Sequence, residues 1–425
     1  MSTRMTPVAL LEVANLLGGV ANACVAILVP WLVLQQTGSA AAAGVVGAAA
    51  AVPGVVVSPF VGALVDRLGR RRVSMASDLL SAASVSLFPL LASRGTLTLT
   101  MIAALAVLGA AFDPAGYTAR KALLPDVARA SRMSLDSLNG LHEGVFAAGF
   151  VVGPVVAAAG IASLGTIDSF WITAIAFLLA IAAVFAIRVP EEASSTRAEA
   201  GEEDEAFWAT SLRGVNVLWR DRPLRDLTLA IGVVILVYMP TEVVLLPTLF
   251  EARDEPGAYG ITLTMLAAGS MVGSFAYGWL APRFTRHHIA VGVMLTCTAA
   301  MIPMALLPPL PVFVTAGFLL GLAWGPMNPL LNTLVQARVP AHVQGRVYGV
   351  QNALFYAAPP LGLLLAGVAA DEWGVQAVYA VVGGTIALTT LLVAALPTLR
   401  GLDEDPVTSV PTPATTGSPA SRELP

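Results

Sequence analysis

From Val13 to Val65 the chain carries no charged side chain, and three further runs, Ile289 to Ala337, Val347 to Ala370 and Trp373 to Leu399, share that property. A helix crosses the hydrocarbon core of a bilayer with about 20 apolar residues, so every run is long enough for a crossing and the longest ones for two. Within lipid each backbone N–H and C=O must be paired inside the chain, which makes these runs helices. Only 12% of the 425 residues are charged and the mean hydropathy is +0.78. Soluble chains are about a quarter charged; this one cannot clothe a water-facing surface of its size. A soluble enzyme and a disordered chain are therefore excluded, and a net charge of -4 leaves no basic footprint for nucleic acid. Cys24 and Cys297 both lie in apolar runs, so no disulfide framework is expected. No Cys/His cluster has metal-ligand spacing, and neither metal nor cofactor is expected.

The first run follows a single Arg4 and is too long for a cleaved signal segment, with another hydrophobic stretch close behind it. With Gly, Pro and charge clusters as punctuation, the chain is expected to be an all-α membrane protein. Twelve helices are expected near 8–34, 42–65, 73–93, 96–119, 137–163, 167–188, 225–250, 258–281, 289–307, 312–337, 347–370 and 374–397. If the N-terminus is cytoplasmic, all of the 23 basic residues except Arg94 and Arg253 fall in cytoplasmic segments. Lys and Arg near span ends are retained on that side, so both termini are expected in the cytoplasm.

The chain also repeats itself. Asp113-Pro114, Pro125, Arg132 and Asn139 are echoed by Asn328-Pro329, Pro340, Arg346 and Asn352. Gly62-Ala-Leu-Val-Asp66-Arg67-Leu-Gly69-Arg70 is echoed by Gly278-Trp-Leu-Ala-Pro282-Arg283-Phe-Thr-Arg286. Two six-helix halves are expected, residues 1–188 and 225–400, of the kind transporters build around a central site. Between them, 189–224 is an acidic linker whose Trp208, Leu212, Val215 and Trp219 form the apolar stripe of an interfacial helix. Residues 401–425 form a Pro/Thr/Ser-rich cytoplasmic tail with too little apolar surface to order itself.

Gly62, Asp66, Arg67, Gly69, Arg70 and Arg71 resemble the loop between helices two and three of the major facilitator superfamily. Gly140, Gly149, Gly153 and Pro154 in helix five resemble that superfamily's exporter signature, with Ala157 in place of its last Gly. Pro125-Asp126, the Ser211–Trp219 segment, Gly345-Arg346 and Pro360–Gly367 add similarity to the branch of macrolide-efflux and enterobactin-exporter proteins. The resemblance implies a secondary transporter working by alternating access in a bacterial plasma membrane. Its cargo would be a hydrophobic or amphipathic small molecule. It also implies that Asp66 contacts helix eleven and closes the cytoplasmic side of one state. On physical grounds an anion at a helix C-terminus needs a cation or a helix N-terminus nearby. The arginines around Asp66 admit a plainer reading as positive-inside anchors. Gly149 and Gly153 at four-residue spacing let another backbone approach closely. Proton-exchanging members of the family usually carry an Arg in helix four where this chain has Leu105, and Pro282 replaces the Asp in the second loop copy.

Five acids fall within the expected spans away from their first and last two residues, Glu12, Asp78, Asp113, Glu143 and Glu242, with no Lys or Arg in the span interiors to pair them. An unpaired carboxylate there costs about 2.5 to 3.5 kcal/mol. Glu12 and Asp78 lie near span ends, where loop arginines can satisfy them, and are read as structural. Glu242, deep in helix seven between Pro240 and Pro247, is placed where a carboxyl can carry a proton or recognise a cation; Asp113 and Glu143 are alternatives. Polar stripes at helical spacing mark candidate cavity residues: Asn15 and Asn22; Tyr117; Tyr238; Trp324, Asn328 and Asn332; Asn352 and Tyr356. They equally suit plain interhelical hydrogen bonds.

The expected function is export, with proton antiport as its coupling; uptake by symport or facilitated diffusion is the second reading, and a non-transporting membrane sensor or partner protein the third. No nucleophile–base pair or phosphate loop points to an enzyme. The expected partners are a small-molecule substrate, protons and the lipid bilayer, with a monomer as the working unit.

Overall fold

The computed structural model describes residues 2–133, 135–188, 215–339 and 341–403. Among them the chain is helical almost throughout. The first six helices are α1 (Ser2–Thr37), α2 (Ala40–Leu68), α3 (Arg70–Ser93), α4 (Leu99–Ser131), α5 (Leu135–Leu164) and α6 (Thr166–Ala186). Next come α7 (Arg222–Glu251), α8 (Pro256–Leu280), α9 (Arg286–Ala305) and α10 (Leu310–Trp324, resuming as Met327–Arg338). The final run, Ala341–Ala395, breaks at Gly374, whose φ of 80° only glycine adopts freely, giving α11 (341–373) and α12 (375–395). Among the described residues ten helices are long and apolar enough to cross a membrane, with Ala40–Gly54 a shorter apolar stretch beside them. The acidic linker and the tail fall largely outside the described residues.

Sequence and backbone agree on where helices begin. Ser39, Thr98, Asp221 and Thr285 cap α2, α4, α7 and α9 by accepting a backbone N–H two or three residues on. Between α2 and α3 the turn is a single residue, Gly69, at φ 90°. That conformation explains why the arginine-rich motif needs a glycine there. Each expected segment is helical, yet α4 does not stop at 119 but runs to Ser131. Arg120 and Lys121 mark no helix end, because their charges are met by side chains on neighbouring helices. In α7, Pro240 cannot donate to the helix ladder, and a single π turn, Thr241–Leu245, follows it.

Glycines set how closely the helices approach. A Cβ on Gly149 would lie 2.9 Å from Gly19 Cα, and one on Gly153 would lie 2.4 Å from Ala23 Cβ, so α1 and α5 touch backbone to backbone. In the second group of helices a Cβ on Gly321 would fall 1.9 Å from the Leu266 carbonyl oxygen, joining α8 to α10 in the same way. Among the described residues, α1–α6 and α7–α12 meet at the end away from the termini. There a Cβ on Gly260 of α8 would meet the Pro154 carbonyl of α5 at 2.7 Å, and Trp31 of α1 stacks on Tyr259 at 6.0 Å. At the same end Asp371 of α11 accepts hydrogen bonds from Ser39 Oγ (2.6 Å) and from the Ala40 and Ala41 amides (2.7 and 3.1 Å) at the start of α2. An anion thus sits on the positive end of a helix across the junction.

Gly153→Leu should destabilise the protein in detergent by about 1 to 3 kcal/mol through overpacking of α1 on α5. Gly257→Leu, where a Cβ meets nothing within 4 Å, should leave the thermal midpoint in place. Equal midpoints for the two variants would refute the close-contact account.

Candidate functional site

Several polar clusters lie among the described helices, and the first is an ion pair. Arg120 Nη1 of α4 donates to both carboxylate oxygens of Asp78 on α3 at 2.9 Å, with side-chain exposures of only 2% and 3%. Two glycines make the room. A Cβ on Gly18 of α1 would lie 2.7 Å from Arg120 Nη2, and one on Gly116 would lie 2.8 Å from Ser77 Oγ and 3.4 Å from Asp78 Oδ1. Buried charges cost several kcal/mol each in desolvation, so removing one partner is far worse than removing both.

Two more clusters flank this pair. Ser81 Oγ donates to Asp113 Oδ1 at 3.0 Å, beside a gap of about 20 Å³ lined by Asn22, Ser84, Gly109 and Asp113. That is space for a single water. On the other side Tyr117 OH donates to the Glu143 carboxylate at 2.9 Å, and Lys121 Nζ lies 2.5 Å from the same group, about half exposed. Asn15 of α1 donates to the backbone carbonyl of His142 at 2.7 Å.

The fourth cluster belongs to α7 and its neighbours. Tyr238 OH donates a short hydrogen bond to Glu242, one turn further along the same helix and on the π turn itself. Tyr259 OH donates to the Glu242 carbonyl at 3.0 Å, and the Tyr238 ring stacks on Trp324 of α10 at 5.6 Å. The structure therefore brings together three of the residues that the sequence marked separately. Asn328 and Asn332 on α10 and Tyr356 on α11 are exposed, with the Asn332 carbonyl accepting from Tyr348 OH at 3.2 Å.

Of the arginine-rich loop, Arg70 donates to Asp126 of α4 at 2.7 Å, where Arg129 shares the carboxylate. Arg71 donates to the Phe185 carbonyl of α6 at 2.8 Å. Both tie the start of α3 to the ends of neighbouring helices within the first six. The side chains of Gly62, Asp66, Arg67, Gly140 and Asn352 lie outside the described residues.

One expectation is overturned: basic side chains do stand within the bundle. Arg120 serves Asp78 and Lys121 serves Glu143, so of the five acids neither of these two is unpaired. Placing the end of α4 at 119 hid them. The signal was there in the sequence: no Gly or Pro falls between Gly116 and Pro125, so nothing in that stretch marks a helix end at 119.

Comparison with known proteins places these clusters in context. The sequence profile of the Major Facilitator Superfamily matches residues 11–363. The Multidrug efflux pump Tap of Mycolicibacterium fortuitum is 38% identical over 405 residues, covering 95% of this chain and 98% of that protein. Macrolide efflux protein A of Streptococcus pyogenes is 24% identical, covering 87% and 90%. Among solved structures, the nucleoside transporter NupG superposes with a TM-score of 0.75 at 12% identity, covering 92% of this chain and 98% of that one. That last likeness speaks for the fold alone.

Arg120→Ala should cost about 3 to 5 kcal/mol by stranding Asp78. The double change Asp78→Asn, Arg120→Gln should recover most of it. Thermal unfolding in detergent measures both, and a double variant no more stable than Arg120→Ala would show that the pair is not the source of the loss.

Proposed function

This chain belongs to the Major Facilitator Superfamily, and we propose that it exports hydrophobic or amphipathic small molecules from a bacterial cell by alternating access, in exchange for protons. The observation that carries this reading is likeness along nearly the whole chain, 38% identity over 95% of its length, to a protein named for multidrug efflux. The glycine–proline part of the exporter signature supports it. Gly149, Gly153 and Pro154 sit where α5 touches both α1 and α8, at the junction that has to slide when access alternates.

The chemistry of the clusters suits such a cargo. Glu242, Tyr238 and Trp324 combine a carboxyl with two aromatic faces, a set that recognises lipophilic cations. Neither the clusters nor the family calls for a metal or organic cofactor, and we read the protein as a transporter without enzymatic activity, working as a monomer.

We read twelve crossings in two six-helix halves, 1–188 and 225–400. Ala40–Leu68 adds one to the ten long apolar helices, and the break at Gly374 divides the last of them. Both termini and the 189–224 linker then face the cytoplasm, and the contacts among α1, α2, α5, α7, α8 and α11 lie on the outer side. Asp66 is proposed to hold the inner side closed in the opposite state.

Single cysteines at Ser93 and Gly257, in a background lacking Cys24 and Cys297, should react with an impermeant thiol reagent from outside, and one at Ser195 should not. External labelling of Ser195 would sink the topology. In the same background, Asp66→Asn should raise the reactivity of an inner-side cysteine on α11; unchanged reactivity would leave Asp66 and its arginines as anchors only.

Glu242→Gln keeps size and hydrogen bonding but removes the ionisable proton. If Glu242 carries the exchanged proton, gradient-driven export fails for every compound. If it recognises cations, transport of cationic compounds weakens and that of neutral ones does not. Assays on inverted vesicles with paired cationic and neutral lipophiles separate the outcomes, and a wild-type profile in both would reduce Glu242 to a structural group.

A further inference from the structure

Glu12 and His142 meet between α1 and α5. His142 Nδ1 lies 3.1 Å from Glu12 Oε1, the imidazole is fully buried and Glu12 is 7% exposed. Asn15 Nδ2 donates to the other Glu12 oxygen at 3.4 Å as well as to the His142 carbonyl, which fixes the carboxylate against the ring. Among the described residues His142 Nε2 and Asn15 Oδ1, both buried, have no hydrogen-bond partner.

The geometry assigns roles to the two ring nitrogens. A carboxylate accepts only, so with Glu12 ionised Nδ1 carries the hydrogen that points at it, and neutral His142 therefore presents a lone pair at Nε2. A buried nitrogen without a partner is costly and needs a reason. Protonating Nε2 produces an imidazolium whose counter-ion, Glu12, is already in place, as the carboxylate is in a catalytic triad. The pair thus has two states, carboxylate with neutral imidazole and carboxylate with imidazolium, which differ by one proton on Nε2 while the Nδ1–H hydrogen bond persists in both.

Of the charged groups around the pair, Glu143 stands next to His142 on α5 and acts on its charge while being shared with Lys121. From α4, Tyr117 lies with its ring 6.1 Å from that of His142, Arg120 is held by Asp78 of α3, and Lys121 is held by Glu143 of α5. From α6, packed on α1, come Ala180, Ala183 and Val184. Towards the termini Val8, Leu11, Leu123, Leu124 and Leu138 form an apolar cluster that separates the pair from that end. Both basic groups nearby are spent on their own ion pairs. The α1–α5 seam that holds Glu12 against His142 is continuous, along α5, with the Pro154 contact on α8, so sliding at the junction of the two helix groups shifts the walls of this site.

We propose that Glu12 and His142 form the proton-binding site of the transporter, with His142 Nε2 the atom that takes up and releases the exchanged proton. The proposal rests on the antiport reading above and deepens it. It moves the proton from α7 to the α1–α5 seam and leaves Glu242 the recognition of cationic cargo.

Two measurements test it. In proteoliposomes with ethidium as the transported probe, the ratio of pH-gradient-driven to downhill flux reports coupling. His142→Gln and Glu12→Gln should each lose the gradient dependence. In nanodiscs, ¹⁵N-histidine NMR of protein retaining His142 as its one histidine (His287, His288 and His342 replaced by Gln) reads the site with its own partners intact. It should show hydrogen on Nδ1 and none on Nε2 in the neutral ring and hydrogen on both nitrogens in the protonated one, and Glu12→Gln should abolish the Nδ1–H preference. Wild-type flux indifferent to the gradient would overturn antiport itself, and the coupling role with it. Coupled wild type together with coupled His142→Gln would overturn the pair alone, as would an Nε2–H tautomer.

Discussion

A polar group carried into the bilayer has to find its partner inside the protein, and the Asp78–Arg120 pair shows how much structure that demand organises. Holding a guanidinium and a carboxylate together, almost wholly buried, requires α3 and α4 side by side, a glycine on α1 where the guanidinium lies and another on α4 beside the carboxylate. Two further acids are met in the same layer of helices, Glu143 by Lys121 and Glu12 by His142 and Asn15. Lipid offers none of these groups a substitute for water, so each helix position near the layer is chosen by its neighbours' charges as well as by packing.

Between the polar layers, contact is made by backbone. Lipid tails are as apolar as leucine, so helices in a membrane gain little from apolar burial and rely on close van der Waals approach. The seams α1–α5 and α8–α10 are glycine-lined for that reason, and a side chain at Gly153 or Gly321 would occupy space held by Ala23 or the Leu266 carbonyl. The same device joins the two helix groups at one end, where it is reinforced by Asp371 on the amides of α2. Contacts of this kind are shallow and reversible. A carboxylate on a helix N-terminus and a carbonyl against a glycine can part without exposing a large apolar core, which is what alternating access asks of a junction.

Much of the architecture could be read from the chain itself. Charge-free runs announced helices, Gly69 and Gly374 marked turns that only glycine makes comfortably, and the capping residues Ser39, Thr98, Asp221 and Thr285 stood where helices begin. The reading failed at α4. There Arg120 and Lys121 looked like the edge of the membrane, because a charge in a one-dimensional pattern carries no mark of what stands beside it. Glu12 and Asp78 were placed near span ends with loop arginines for company; the structure instead gives Glu12 a histidine from α5 and Asp78 an arginine from inside the bundle. His142 is a sequence neighbour of Glu143, yet its ring faces Glu12.

Hydropathy and backbone geometry are local properties, and they sufficed to determine helices and their approximate ends, while the motifs and the profile match gave the family to which the chain belongs. Pairing is not local. Glu12 and His142, Asp371 and Ala40, and Tyr238 and Trp324 are far apart along the chain, and which polar group meets which is decided by how the helices rotate and slide against one another until their buried charges and glycine seams are satisfied together. Only the packed bundle could therefore separate the acids that are neutralised by arginine or lysine from those left to a tyrosine or a histidine.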